Sequence, residues 1–174
     1  GFEWSPDGNK LAYYRFDGNA IDNTGSNNAT IHHGNFVADR HGNTGKALML
    51  DSTGYVNLFN PNINNDFTYA VWFKKDNQWD NGFYWDRFIA KRESCGSSKF
   101  IEMYGNPSGD KYNVRFEYNV GDGSKFVFGH LISFNTWTHI ALVFESGVFK
   151  LYINGVSSGS TAKIDNPDFS NNYD

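Results

Sequence analysis

Short runs in which apolar and polar side chains alternate recur about every 10 to 15 residues, each closed by Gly, Asn, Asp or Ser. The clearest is 112–118, where Val114, Phe116 and Tyr118 alternate with Arg115 and Glu117, the two-residue period of a strand with one buried face. Two runs are apolar on both faces, Phe67-Thr68-Tyr69-Ala70-Val71-Trp72-Phe73 and Ile140-Ala141-Leu142-Val143-Phe144, and predict strands central to a packed sandwich. Further strands are predicted over 11–16, 29–33, 47–50, 55–58, 87–91, 99–104, 125–131 and 148–154, with the two apolar runs extending to 67–74 and 137–144. Asn154-Gly155 favours the positive φ angles of a type I′ hairpin, joining 148–153 to 156–160. Asp122-Gly123 repeats the device between 118–120 and 125–128. No segment keeps a helical period for three turns. The pattern therefore predicts an all-β fold, an antiparallel β-sandwich or jelly roll. With no internal repeat and no linker-like tract, residues 1–174 read as one domain, and the pattern fades over 166–174.

Composition sharpens this picture. The 174 residues include 16 Phe, 10 Tyr and 5 Trp, together with 22 Asn, 14 Asp and only five Glu. Strand-favouring aromatics and turn residues are dense, which argues against a helical bundle. A net charge of −4 argues against a nucleic-acid groove, which needs clustered Lys and Arg to displace counterions. No apolar run approaches the roughly 20 residues that span a bilayer, so no membrane insertion is expected. Cys95 is the only cysteine, so neither an internal disulfide nor a thiolate metal cluster can form.

The segment Leu11-Ala12-Tyr13-Tyr14-Arg15-Phe16-Asp17-Gly18-Asn19-Ala20-Ile21-Asp22 resembles the opening of laminin-G-like domains of the concanavalin A-like lectin/glucanase superfamily. Further matching segments follow in order: Gly45-Lys46-Ala47-Leu48, 67–74, Phe88-Ile89-Ala90-Lys91, Trp137-Thr138-His139 running on to Phe144, and Lys150-Leu151-Tyr152-Ile153-Asn154-Gly155-Val156. The resemblance covers 11–160 and implies a concanavalin A-like sandwich. It also implies an apolar closing strand near the C-terminus that pairs near the first strand. The chain ends at Asp174 without such a strand, so an unfinished sheet edge open to another protein chain is expected.

The superfamily includes retaining glucanases, whose chemistry needs two carboxylates about 5 Å apart. In that branch the resemblance implies two Glu around an Asp on one strand. Here Glu3, Glu93, Glu102, Glu117 and Glu145 stand too far apart in sequence, and Glu102 has no acidic partner two or four residues away. No catalytic residues are assigned. Gly155-Val156-Ser157-Ser158-Gly159 matches the nucleophile-elbow pattern but begins in a hairpin, not in the strand-to-helix turn which that motif requires. His32 and His33 point to opposite faces of a strand, and Asp39 and His41 read as turn residues, so they predict no shared metal ion.

Calcium is the cofactor expected here, in a structural role. Asp17, Asn19 and Asp22 crowd one loop around Gly18 and offer hard oxygens. The resemblance implies a structural calcium near this loop in many relatives, often assisted by an acidic residue from the closing strand. The alternative is plain turn chemistry. For ligand binding, the segment 77–86 is the most informative. Trp79, Tyr84 and Trp85 suit stacking on the aliphatic face of a sugar, and Asn77, Asp80 and Asp86 suit bonds to its hydroxyls. Tyr104, Asn106 and Asp110 border it. The competing reading tucks the aromatic rings into the core. The expected function is a noncatalytic, lectin-like module that binds a glycan or polysaccharide, in an extracellular or cell-surface protein. An adhesion module for a protein partner, and a glycoside hydrolase-like domain, remain as alternatives.

Overall fold

A computed structural model describes residues 2–5, 10–60, 66–76, 86–92, 99–120, 125–165, 168 and 169. Among them are twelve strands and no helix: β1 (Phe2–Ser5), β2 (Ala12–Tyr14), β3 (Thr30–Val37), β4 (Ala47–Asn57), β5 (Phe67–Phe73), β6 (Asp86–Lys91), β7 (Lys99–Ser108), β8 (Lys111–Val120), β9 (Lys125–Ser133), β10 (Thr138–Glu145), β11 (Val148–Ile153) and β12 (Val156–Ser160). They form a six-stranded sheet in the order β12-β11-β10-β5-β1-β2, a four-stranded sheet β6-β7-β8-β9 and a two-stranded ribbon β3-β4. Every pairing is antiparallel. The two runs predicted to be central, 67–73 and 140–144, do lie side by side in the middle of the larger sheet.

The alternation read from the sequence decides which residues build the core. On β5, Phe67 and Tyr69 turn inward, while Thr68, Ala70 and Trp72 face out. Tyr112, Val114, Phe116 and Tyr118 of β8 meet Ile140, Leu142 and Phe144 of β10 and Phe149, Leu151 and Ile153 of β11, all buried. Phe149 is fully enclosed, with Phe144 at 4.6 Å, Phe116 at 4.7 Å, Tyr118 at 5.2 Å and Phe169 at 5.6 Å between ring centroids. Tilted and edge-on rings at these separations gain quadrupolar attraction on top of burial.

Several elements differ from the sequence expectation. β1 pairs with both β2 and β5, so the place beside β2 in the sheet interior is filled by the residues 2–5 that carry no clear strand signal. The runs 47–50 and 55–58 join into one strand, β4. Gly34 faces Leu50 and His32 faces Tyr55, so the four residues 51–54 stand opposite His33 alone and bulge from the ladder. Gly54 is needed there, since a Cβ would stand 2.3 Å from the carbonyl oxygen of His33. β7 runs on to Ser108, past the predicted 104, because Gly105 gives the Tyr112 ring room; a Cβ would lie 2.4 Å from its Cε1. The hairpin at Asn154-Gly155 is as predicted, with φ of 51° and 80°. Asp122-Gly123 lies outside the described residues.

Candidate functional site

Asn77, Trp79, Asp80, Tyr84 and Trp85 lie outside the described residues, but both anchors of that segment are described. Lys75 follows β5, Asp86 opens β6, and the Lys75 ammonium stands 3.3 Å from Asp86 Oδ2. The Lys75 carbonyl also accepts a hydrogen bond of 2.7 Å from the backbone N–H of Asn135. The Tyr112 hydroxyl donates to Asp86 Oδ2 at 3.0 Å, and burial pushes that hydroxyl's pKa well above its ordinary value. Asp86 therefore serves, through Oδ2, as a fastening point for the four-stranded sheet. Tyr104 is buried, with its pKa pushed up to about 12 by desolvation and by Glu117.

Beside this anchor, at the same end of β5, the out-facing Trp72 and the start of β10 make a shallow hollow with a cavity volume of about 20 Å³, lined by Asp39, Arg40, Lys46, Ala47, Trp72 and Trp137. That volume holds about one water molecule, far below the roughly 300–1,000 Å³ of a site that swallows a whole small molecule, so the hollow is a dimple that can take a single group at the edge of a larger ligand. The Arg40 guanidinium lies 4.6 Å from the Trp72 ring centroid, and His139, cross-strand partner of Trp72, packs on the same indole at 5.2 Å. Lys74 Nζ sits 5.3 Å from the Trp137 ring. Asp39 is committed to its own turn, accepting from the backbone N–H groups of His41 and Asn43 and from the Asn43 amide at 2.8, 2.9 and 3.2 Å. The burial of Phe67 and Tyr69 on β5 puts Trp72 on the opposite face, and nothing in the sequence places the turn bearing Arg40 beside it.

The calcium candidates occupy one loop with unlike surroundings. Asp22 is buried, 1% exposed, and its carboxylate accepts from the backbone N–H groups of Tyr13, Thr24 and Asn27 and from the Thr24 hydroxyl. Desolvation raises its pKa, but these bonds outweigh that effect and hold it at about 2. Asn19 Oδ1 accepts from the N–H of Ile21. Asp17 lies 3.3 Å from the Arg15 guanidinium and 3.7 Å from the Lys46 ammonium. The carboxylate oxygens of Asp22 accept N–H and O–H groups and Asp17 faces two cations, so a calcium ion held by Asp17, Asn19 and Asp22 would have to displace those partners. Melting temperature in excess calcium and in excess chelator tests this loop: equal values are expected if its own donors hold it, and a drop of several degrees with chelator would show a structural metal.

A second polar cluster lies on the outer side of the four-stranded sheet, where β7 and β8 pair Glu102 directly with Glu117. Glu102, 4% exposed, accepts from Arg87 Nε at 2.9 Å and from an Arg92 Nη at 2.7 Å, and Glu117 accepts from the Tyr104 hydroxyl at 3.0 Å. Among the described residues, no group of three His, Cys, Asp or Glu side chains is placed to hold a metal. Ser158 of the elbow-like pattern sits on a strand with its hydroxyl 2.8 Å from His130 Nδ1, at an edge where β12 meets β9.

A family model described as the concanavalin A-like lectin/glucanases superfamily (Laminin_G_3) matches residues 50–174. The chain belongs to this superfamily. The match starts within β4 and takes in both anchors of the 77–85 segment, Trp72 and Trp137, whereas Arg40 and Lys46 lie before it. No curated protein and no solved structure matches the chain. As a laminin-G-like domain it has the expected antiparallel sandwich, and no helix among its described residues is long and apolar enough to cross a membrane.

Proposed function

We propose that this domain is a noncatalytic, carbohydrate-binding recognition module of a secreted or cell-surface protein. Its ligand is received at the end of the sandwich where the 77–85 segment leaves and returns. The observation that carries the reading is the hollow in which two indoles, a guanidinium and a lysine converge beside that segment's anchors. Sugars need this mixture, an apolar surface edged by directional polar groups, held on a rigid scaffold. Among the described residues Glu102 faces Glu117 across β7 and β8, and its enclosure between two guanidinium groups supports a structural use of that acid pair.

The test is a glycan array probed with the whole chain, then with Trp137→Ala and Trp137→Phe. Trp137→Ala is expected to lose the array signals by at least about tenfold and Trp137→Phe to keep most of them, with both variants melting within a few degrees of the parent. Unchanged signals in Trp137→Ala would move the site elsewhere. A blank array would overturn the carbohydrate reading in favour of a protein partner.

A further inference from the structure

We infer that Lys91 and Asn60 are set to join covalently, the lysine Nζ displacing ammonia from the asparagine side chain to leave an isopeptide bond between them. The pair stands apart from the hollow and from whatever that hollow binds. Lys91 closes β6 and faces Ile101 in the β6-β7 ladder, two residues after Ile89, on the strand face that looks into the core. It is 7% exposed, and its Nζ donates to Asn60 Oδ1 at 2.7 Å. Such enclosure is unusual for a lysine. Burial lowers the pKa of this ammonium, since surroundings of low dielectric disfavour the charged form. The neutral amine, which is the nucleophile, is therefore reached at milder pH than for a lysine in water.

Asn60 has the complementary properties. The hydrogen bond to Oδ1 holds the amide carbonyl beside the amine, a fixed juxtaposition that offsets the low reactivity of an amide. Asn60 is exposed while Lys91 is enclosed, so ammonia formed between them has a way out to solvent. Next in sequence stands Pro61, whose nitrogen carries no hydrogen. The ordinary loss of ammonia from an asparagine, by attack of the following backbone N–H on the side-chain carbonyl, is thereby closed. In the step itself the neutral Nζ attacks Cγ, the Nζ–Cγ bond forms and the Cγ–Nδ2 bond breaks. One proton passes from Nζ to the departing nitrogen, so the step balances with ammonia as its by-product and needs no oxidant or second substrate. The two residues are 31 positions apart, and the ring they close contains β5 of the six-stranded sheet and β6 of the four-stranded sheet. The bond rivets one layer to the other.

The experiment holds the whole folded chain for days at neutral and at mildly alkaline pH and reads it by intact mass and by peptide mapping. The expected product is lighter by one ammonia, and its map joins the peptide carrying Asn60 to the peptide carrying Lys91. It should form faster at the alkaline pH, where more of the amine is neutral. The map is essential, because an asparagine followed by glycine, such as Asn154-Gly155, loses ammonia by the backbone route. The linked chain should migrate faster on a denaturing gel and melt several degrees above Lys91→Arg, which keeps a charged donor but has no nucleophilic amine. Asn60→Ala removes the electrophile at an exposed position, leaves Lys91 untouched and is expected to stay unlinked. Separate peptides at both pH values from the folded parent chain overturn the assignment. An equal yield of the joined peptide from a chain kept in denaturant also overturns it, since the reaction would then owe nothing to the fold.

Discussion

Phe149→Ala is expected to lower the unfolding free energy by about 3–5 kcal/mol, the range for emptying a large buried aromatic site. Phe149 is fully enclosed and touches rings from β5, β8 and β10 as well as Phe169, so no single neighbour can move in to fill the space. Chemical denaturation reads the loss directly, and the melting temperature should fall by roughly 10 °C or more. Phe149→Leu, which leaves a smaller void, should cost clearly less. A loss below about 1 kcal/mol for the alanine variant would mean that the sheets are not held together through this ring.

Asp22→Ala should be nearly as damaging, at about 3 kcal/mol, because it strands the N–H groups of Tyr13, Thr24 and Asn27 without their acceptor in a part-buried loop. The pH dependence carries a sign that checks the mechanism. The carboxyl titrates at about 2 in the folded chain against an ordinary 3.8, so the folded state prefers it ionised. Its contribution is complete above pH about 3.8 and is lost as the pH falls from there toward 2. Stability curves of parent and Asp22→Ala should therefore converge between pH 4 and 2. Parallel curves through that interval would show that the ionised form has no special hold on the loop.

What the sequence made legible was whatever depends on period two and on local turns. Alternation places Val114, Phe116 and Tyr118 inward, apolarity on both faces marks the two central strands, and the Asn154-Gly155 hairpin follows from the chemistry of its two residues. Two kinds of information stayed hidden. Pairing between distant strands is one: Glu102 and Glu117 are separated by 15 positions and meet only because the hairpin folds at Gly109-Asp110, a turn inside a polar stretch that interrupts no obvious run. Insertion is the other: β1 gains its place from two neighbours and not from its own pattern, and Phe169 reaches full burial from a stretch with no strand signal. The candidate site stayed hidden too. A run apolar on both faces does not tell that Trp72 faces out, and its meeting with Arg40 brings together residues 32 positions apart on separate elements.

The fastening at Lys75 and Asp86 has an evolutionary consequence. Both ends of the chain between them are tied to the sandwich by the Asn135 and Tyr112 contacts. These ties are made by residues outside 77–85, so they stay in place whatever its letters, and a twofold change in the length of chain between two closed ends adds only about 0.6 kcal/mol. A change of prey would then require no new architecture.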